Sequence, residues 1–154
     1  EFKNRKFSDM EIFSKRHFKG IVKNLIYQEA KNKLNYFHNK KIPVVAISAC
    51  NDIVLFPLIK YLNFNFSITT VLENNNGVFS GDIIGDYVIQ NVKLKLVRRL
   101  LNKMQLSLAD SAFYSDSIND LPLLEAVGYP FVVNPDEKLN DIAISNSWGI
   151  EEWQ

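Results

Sequence analysis

Two aspartates, Asp116 and Asp120, stand four residues apart just after an apolar run, Ala112 to Tyr114. An apolar run that leads into a serine-rich turn is typical of a buried strand followed by a helix. In open α/β sheets, ligands bind at such strand ends. Two neighbouring carboxylates repel each other unless a cation lies beside them. The spacing therefore predicts a divalent metal site, and the structural alternative is a helix cap formed by Ser115 or Ser117.

Two further residues have types and positions suited to holding an anion. Ser48 ends an apolar run that begins at Pro43, so its hydroxyl and the backbone amides after it are candidates for holding an anion. Lys93 stands near the start of a predicted helix, where the helix dipole favours an anion over a cation. Taken singly, Ser48 is equally well explained as a turn residue and Lys93 as an exposed lysine.

The elements that must position these residues alternate between helix and strand. Apolar residues at three- and four-residue spacing predict helices over 8–39 with a break at Gly20, from Asn51 or Asp52 to about 62, over 91–104 and over 136–145. β-branched or alternating apolar residues predict strands over 43–48, 66–72, 78–84, 112–114 and 130–133. The second and third strands flank an Asn-Asn-Asn-Gly turn and predict a β-hairpin. Strands separated by helices predict an α/β fold with a parallel sheet.

Composition excludes several classes of protein. A length of 154 residues with 47% hydrophobic and 23% charged residues is typical of one globular domain. A formal net charge of +1 provides no overall field for nucleic acid or an anionic membrane. A single cysteine, Cys50, excludes an intrachain disulfide framework. No apolar run approaches the roughly 18 residues of a membrane span, so the cytoplasm is the expected location.

The order of a serine, a lysine and an acid pair resembles motifs II, III and IV of the haloacid dehalogenase superfamily, in its phosphoserine-phosphatase-like branch. The resemblance runs from about residue 41 to 153 and is most specific in YSDSINDLPLLEAVGYPFVVNPD, residues 114–136. It implies a Rossmann-like parallel sheet with flanking helices. It also implies a magnesium-dependent phosphomonoesterase that acts on a small phosphorylated metabolite through an aspartyl-phosphate.

The resemblance also implies a role for each matched residue. Ser48 would hydrogen-bond the transferring phosphoryl group, and Lys93 would neutralise its charge. Asp116 would bind Mg²⁺, Asp120 would support that site, and Asn119 would orient phosphate or a metal-bound water. Phosphoryl transfer requires such cations and donors around a spreading negative charge.

Two departures limit what the resemblance implies. Members of the superfamily carry motif I, an apolar strand ending in Asp-x-Asp that supplies the nucleophile, and no two aspartates in this chain stand two residues apart. Ala49 and Cys50 follow Ser48, where phosphoserine phosphatases typically have glycines, which puts serine-phosphate specificity in doubt. We therefore expect the chain to begin inside a helical cap, to lack the first strand, to bind Mg²⁺ weakly or not at all, and to be inactive alone.

The expected organisation is a partial helical cap over residues 1–40 and an incomplete Rossmann-like core over 41–154, with the hairpin flap at 66–84. The alternative is a non-catalytic module that derives from this fold and binds a phosphate ligand or a protein. A receiver-like signalling domain fits poorly, because the hairpin has no place in that fold. A missing central strand would expose sheet edges, which predicts self-association.

Overall fold

The predicted alternation of helices and strands is present in the computed structural model, which describes residues 2–154. The helices are α1 (Phe7–Gly20), α2 (Gln28–Asn39), α3 (Asp52–Tyr61), α4 (Gln90–Met104), α5 (Leu121–Leu124) and α6 (Glu137–Ser145). The strands are β1 (Val45–Asn51), β2 (Phe66–Asn75), β3 (Val78–Ile84), β4 (Ala112–Ser115), β5 (Tyr129–Val133) and β6 (Gly149–Glu151). Every predicted element is confirmed, and β6 is an additional strand.

The chain divides into two units, of which the first runs to Val88 and the second is Ile89–Gln154. The first unit contains the sheet β1-β2-β3, in which β1 and β2 are parallel and β2 and β3 are antiparallel. The predicted helical break is confirmed, because α1 ends at Gly20 and a short 3-10 turn at Val22–Leu25 precedes α2.

The predicted hairpin turn is formed by Asn76 and Gly77, which join β2 to β3. Both residues have positive φ, 52° and 86°, as a two-residue type I′ turn requires. The Asn74 side-chain oxygen accepts a hydrogen bond from the Gly77 N–H at 2.8 Å. Phe79 is only 2% exposed, and the rings of Phe2 and Phe7 pack against it. The start of the chain therefore anchors the hairpin.

The second unit contains the all-parallel sheet β4-β5-β6. Its core consists of buried side chains from α5, β5 and α6, namely Leu124, Val132, Leu139 and Ala143. Trp148 packs against this core. The Asn134 side chain fixes the C-terminal segment by hydrogen bonds to the backbone of Trp153 at 2.9 and 3.0 Å. Gly128 has no space for a side chain, because a Cβ there would lie 1.8 Å from the Ala109 carbonyl oxygen.

The α/β fold class with parallel strands is thus confirmed. The boundary of the predicted cap at residue 40 stays a prediction, and Glu1 of that region lies outside the described residues. Among residues 2–154, no helix combines the length and the apolar character needed to cross a membrane.

Candidate functional site

The loop that follows β4 carries both predicted aspartates of the second unit. The strand ends at Ser115, and a 3-10 turn at Ile118–Asp120 leads directly into α5. Ser117 caps this turn, because its Oγ accepts a hydrogen bond from the Asn119 N–H at 3.3 Å. The cap that the sequence offered as an alternative is therefore present, alongside the contacts of Asp120 described next.

Asp120 forms a buried ion pair with Lys93. The Lys93 Nζ lies 2.6 Å from Asp120 Oδ1, and the two side chains are 11% and 8% exposed. Lys93 is the fourth residue of α4 and lies on its buried side with Val97 and Leu101. The carboxylate explains why a lysine is tolerated near a helix N-terminus, because it supplies the negative charge that this position favours. The interpretation of Lys93 as an exposed surface lysine is therefore wrong.

Ser115 completes this cluster, although sequence reasoning considered it only as a cap. The Ser115 hydroxyl donates a hydrogen bond to Asp120 Oδ2 at 2.7 Å. The Ser115 Oγ also accepts a hydrogen bond from the Ser117 N–H at 3.2 Å. Ser115 is 8% exposed. A buried hydroxyl at the last position of an apolar strand needs a polar partner, and this signal in the sequence could have identified Ser115. Both carboxylate oxygens of Asp120 thus bond to other side chains.

Asp116 and Asn119 are exposed on the same loop. Since Asp120 is paired with Lys93, Asp116 is the carboxylate of the loop that remains open to solvent. Among residues 2–154, no three His, Cys, Asp or Glu side chains converge on a metal-binding point. Mg²⁺ is usually held in proteins by one or two carboxylates together with water and substrate phosphate. As an exposed carboxylate, Asp116 is the candidate of this loop for one such ligand position.

Ser48 belongs to the first unit. β1 continues past Ser48 to Asn51, and its regular pairing with β2 is interrupted between Ile47 and Asn51. The Ser48 Oγ accepts a hydrogen bond from the Cys50 N–H at 3.1 Å. Of the two predicted caps of α3, Asn51 fills the position, because its side chain accepts from the Val54 N–H at 3.0 Å.

The structure therefore brings together Lys93, Ser115 and Asp120, and it leaves Asp116 and Asn119 at the surface of the adjoining loop. A buried lysine held by a carboxylate, with a second, exposed carboxylate on the same loop at the carboxyl end of a parallel strand, is an arrangement suited to binding phosphate and a cation.

A comparison with protein families identifies the family of this chain. The model of the haloacid dehalogenase-like hydrolases matches residues 2–125. The chain therefore belongs to the haloacid dehalogenase-like hydrolase family, and its fold is the Rossmann-like fold of these enzymes.

Its similarities lie in the phosphoserine-phosphatase-like branch of that family. It is 33% identical to a phosphoserine phosphatase of Mycobacterium tuberculosis over 60% of this chain and 30% of that protein. It is 31% identical to a probable phosphatase of the same organism over 84% of this chain and 45% of that protein. The chain thus spans less than half of each relative. A crystal structure of a Bordetella pertussis protein of unknown function superposes with a TM-score of 0.89 and 27% identity, over 96% of this chain and 67% of that chain.

Proposed function

We propose that this chain forms part of a magnesium-dependent phosphomonoesterase that acts through an aspartyl-phosphate. The observation that carries the proposal is the buried Lys93–Asp120 pair at 2.6 Å, whose aspartate lies on the same loop as the exposed Asp116. Phosphoryl transfer is catalysed mainly by positioning and by positive charge around the phosphoryl oxygens. A lysine fixed by a buried carboxylate and a surface carboxylate able to hold a cation supply two such elements.

Each residue then has a distinct part in binding. Asp120 holds the Lys93 ammonium in place, and that ammonium offers its remaining N–H donors to a phosphoryl oxygen. Asp116 would hold Mg²⁺, which supplies Lewis-acid stabilisation of phosphoryl charge when bound. The Asn119 side chain would orient phosphate or water at the loop surface. The assignment of Ser48 as a phosphoryl hydrogen-bond donor depends on the order of the motifs alone.

We further propose that these 154 residues need a motif I segment in order to turn over substrate, because the sequence contains no Asp-x-Asp pair. The substrate would be a small phosphate monoester. The name of the phosphoserine phosphatase relative supports this class, and Ala49 and Cys50 after Ser48 argue against specificity for serine phosphate. We also propose a cytoplasmic location.

The test is a fusion in which a segment that contains an apolar strand ending in Asp-x-Asp is joined to the start of this chain. Hydrolysis of p-nitrophenyl phosphate and of small metabolite monoesters is measured with Mg²⁺ and with EDTA. We expect Mg²⁺-dependent activity in the fusion and none in the chain alone. Loss of an outer-shell partner of a metal costs up to about 100-fold in activity. Because Asp116 would bind Mg²⁺ directly, Asp116→Asn should lower the activity by at least about 100-fold.

The matched control is Asp141→Asn, which changes an exposed aspartate on α6 of the same unit. Equal activity of the parent fusion and the Asp116→Asn variant would remove Asp116 from the mechanism. If the folded fusion binds inorganic phosphate in an NMR titration but hydrolyses no ester, the non-catalytic phosphate-binding alternative is favoured instead.

Self-association is a separate part of the proposal. In the described residues, β1 and β4 each have a hydrogen-bonded neighbour on one side only. Open edges of parallel strands present unpaired backbone groups that promote pairing with another chain. We expect a mass above that of a monomer, rising with protein concentration, in sedimentation equilibrium. A mass that stays at 17.8 kDa at all concentrations would contradict this expectation.

A further inference from the structure

We infer that Ser115 is a positioning residue of the proposed phosphatase site, an inference that rests on the function proposed above. Ser115 contacts neither metal nor substrate in this proposal. Its hydroxyl instead acts through Asp120 and through the backbone of the loop that carries Asp116. The inference rests on two hydrogen bonds of the buried Ser115 hydroxyl. It donates to Asp120 Oδ2 at 2.7 Å and accepts from the Ser117 N–H at 3.2 Å.

The first effect of this hydroxyl is on the Lys93 ammonium. Asp120 uses Oδ1 for Lys93 and Oδ2 for Ser115, so both contacts together fix the plane of the carboxylate. A carboxylate held on one oxygen only is free to turn about its terminal torsion, which is broad for aspartate. Removal of the hydroxyl would also leave Oδ2 buried without this partner. The ammonium that is to meet the phosphoryl oxygens would then lose its fixed position.

The second effect is on Asp116. The hydrogen bond from the Ser117 N–H to the Ser115 Oγ closes a turn in which Asp116 is the middle residue. The hydroxyl that orients Asp120 therefore also fixes the backbone from which Asp116 projects. Ser117 has no comparable role, because among residues 2–154 its own Oγ accepts only from the Asn119 N–H, at 3.3 Å.

A graded set of variants tests this inference on the 154-residue chain itself. Ser115→Thr keeps the hydroxyl and suits the end of a strand, Ser115→Cys keeps a weak donor, and Ser115→Ala removes the donor. Ser117→Ala is the matched control in the same loop. The readout is the ¹⁵N-detected signal of the Lys93 ammonium, whose protons are shielded from water by burial and by the bond to Asp120.

We expect this ammonium signal to persist in the parent, in Ser115→Thr and in Ser117→Ala. It should weaken in Ser115→Cys and disappear in folded Ser115→Ala as the ammonium protons gain access to water. A merely structural role would lower stability without this graded loss. If Ser115→Ala does not fold, the difference between Ser115→Cys and Ser115→Thr decides the question. An unchanged Lys93 signal in Ser115→Cys and Ser115→Ala would overturn the inference.

The same variants in the active fusion test the effect on catalysis. Ser115→Ala should lower kcat by about 10- to 100-fold, as for other outer-shell partners, with a smaller change in KM. Ser115→Thr should recover most of this loss. A fusion that is inactive in every form would defeat the proposed function, while the Lys93 signal would still decide the role of Ser115. Equal kcat in the parent and Ser115→Ala would overturn the inference.

Discussion

Ser48 lies within β1 and Ser115 ends β4, and the two serines form the same turn but use it differently. Ser48 accepts a hydrogen bond from the N–H of Cys50 at 3.1 Å, and Ser115 accepts one from the N–H of Ser117 at 3.2 Å. Ser115 also donates a hydrogen bond to Asp120, whereas no acceptor in residues 2–154 takes a hydrogen bond from the Ser48 hydroxyl. The hydroxyl of a serine in this turn is thus available to donate a hydrogen bond to a ligand only where no nearby carboxylate accepts that bond.

The acids near these two turns differ in the same way. Asp52, after Ser48, accepts a long hydrogen bond from the Leu72 N–H at 3.4 Å. Asp120, after Ser115, accepts two short bonds from side chains, at 2.6 and 2.7 Å. The carboxylate after the second turn therefore belongs to a closed network of buried side chains, whereas the carboxylate after the first makes one long bond to the backbone. Substitutions of matched residues test how far this difference extends to stability.

The largest difference is expected between the two acids. Asp120→Asn leaves the Lys93 ammonium buried without its counter-charge, so it should lower the free energy of unfolding by about 3–5 kcal/mol. Asp52→Asn should lower it by less than about 1 kcal/mol, because a single long hydrogen bond is affected. The measurement is urea unfolding followed by circular dichroism, with hydrogen exchange at β5 and β2 amides. Equal losses in the two variants would contradict the comparison.

A double variant sharpens this prediction. Replacement of both partners, by Lys93→Met with Asp120→Leu, removes the buried charges together, so it should recover much of the stability lost in Asp120→Asn. If the double variant is as unstable as the single one, the loss does not come from an uncompensated charge.

A smaller difference is expected between the two serines. Ser115→Ala leaves the Asp120 Oδ2 without this donor in a buried position, which should lower the free energy of unfolding by about 1–3 kcal/mol. Ser48→Ala removes only an acceptor for the Cys50 N–H and should lower it by no more than about 1 kcal/mol. The same urea titrations measure both values. Reversal of this order would show that the Ser48 turn is the more tightly held of the two.

The smallest difference is expected between the two caps. Asn51→Ala removes a 3.0 Å cap from the ten-residue helix α3 and should lower the free energy of unfolding by about 1 kcal/mol. Ser117→Ala removes a 3.3 Å contact from a three-residue 3-10 turn, so we expect a loss of only about a few tenths of a kcal/mol, at or below the weak end of capping effects. Hydrogen exchange at the Val54 and Asn119 amides reports on each cap directly.

Local patterns predicted the elements because each has its own period or turn signal. The two-residue spacing of 66–72 and the Asn-Asn-Asn-Gly turn predicted the hairpin, and the 3.6-residue period predicted α4. β6 has only three residues, Gly149–Glu151, so it is too short to show a period. The strand at β1 extends to Asn51, past the predicted end, because pairing with β2 resumes after an irregularity that no local pattern encodes.

Three members of the candidate site could be predicted from the sequence, but the contacts between its members could not. Asp116, Asp120 and Lys93 could be selected by their types and by their places at element ends. The pairing of Lys93 with Asp120 joins residues 27 positions apart, so it depends on how α4 packs within the second unit. The role of Ser115 depends on the 3-10 turn, which returns Asp120 to the end of the strand.

The positions of the two tryptophans, Trp148 and Trp153, have a practical consequence. Both lie in the second unit, where Trp148 packs against the buried core and Trp153 is tied to Asn134. Tryptophan fluorescence therefore originates from one unit only, while the first unit contributes tyrosine emission. The unlabelled chain thus contains an optical reporter that separates the melting of its second unit from that of the first.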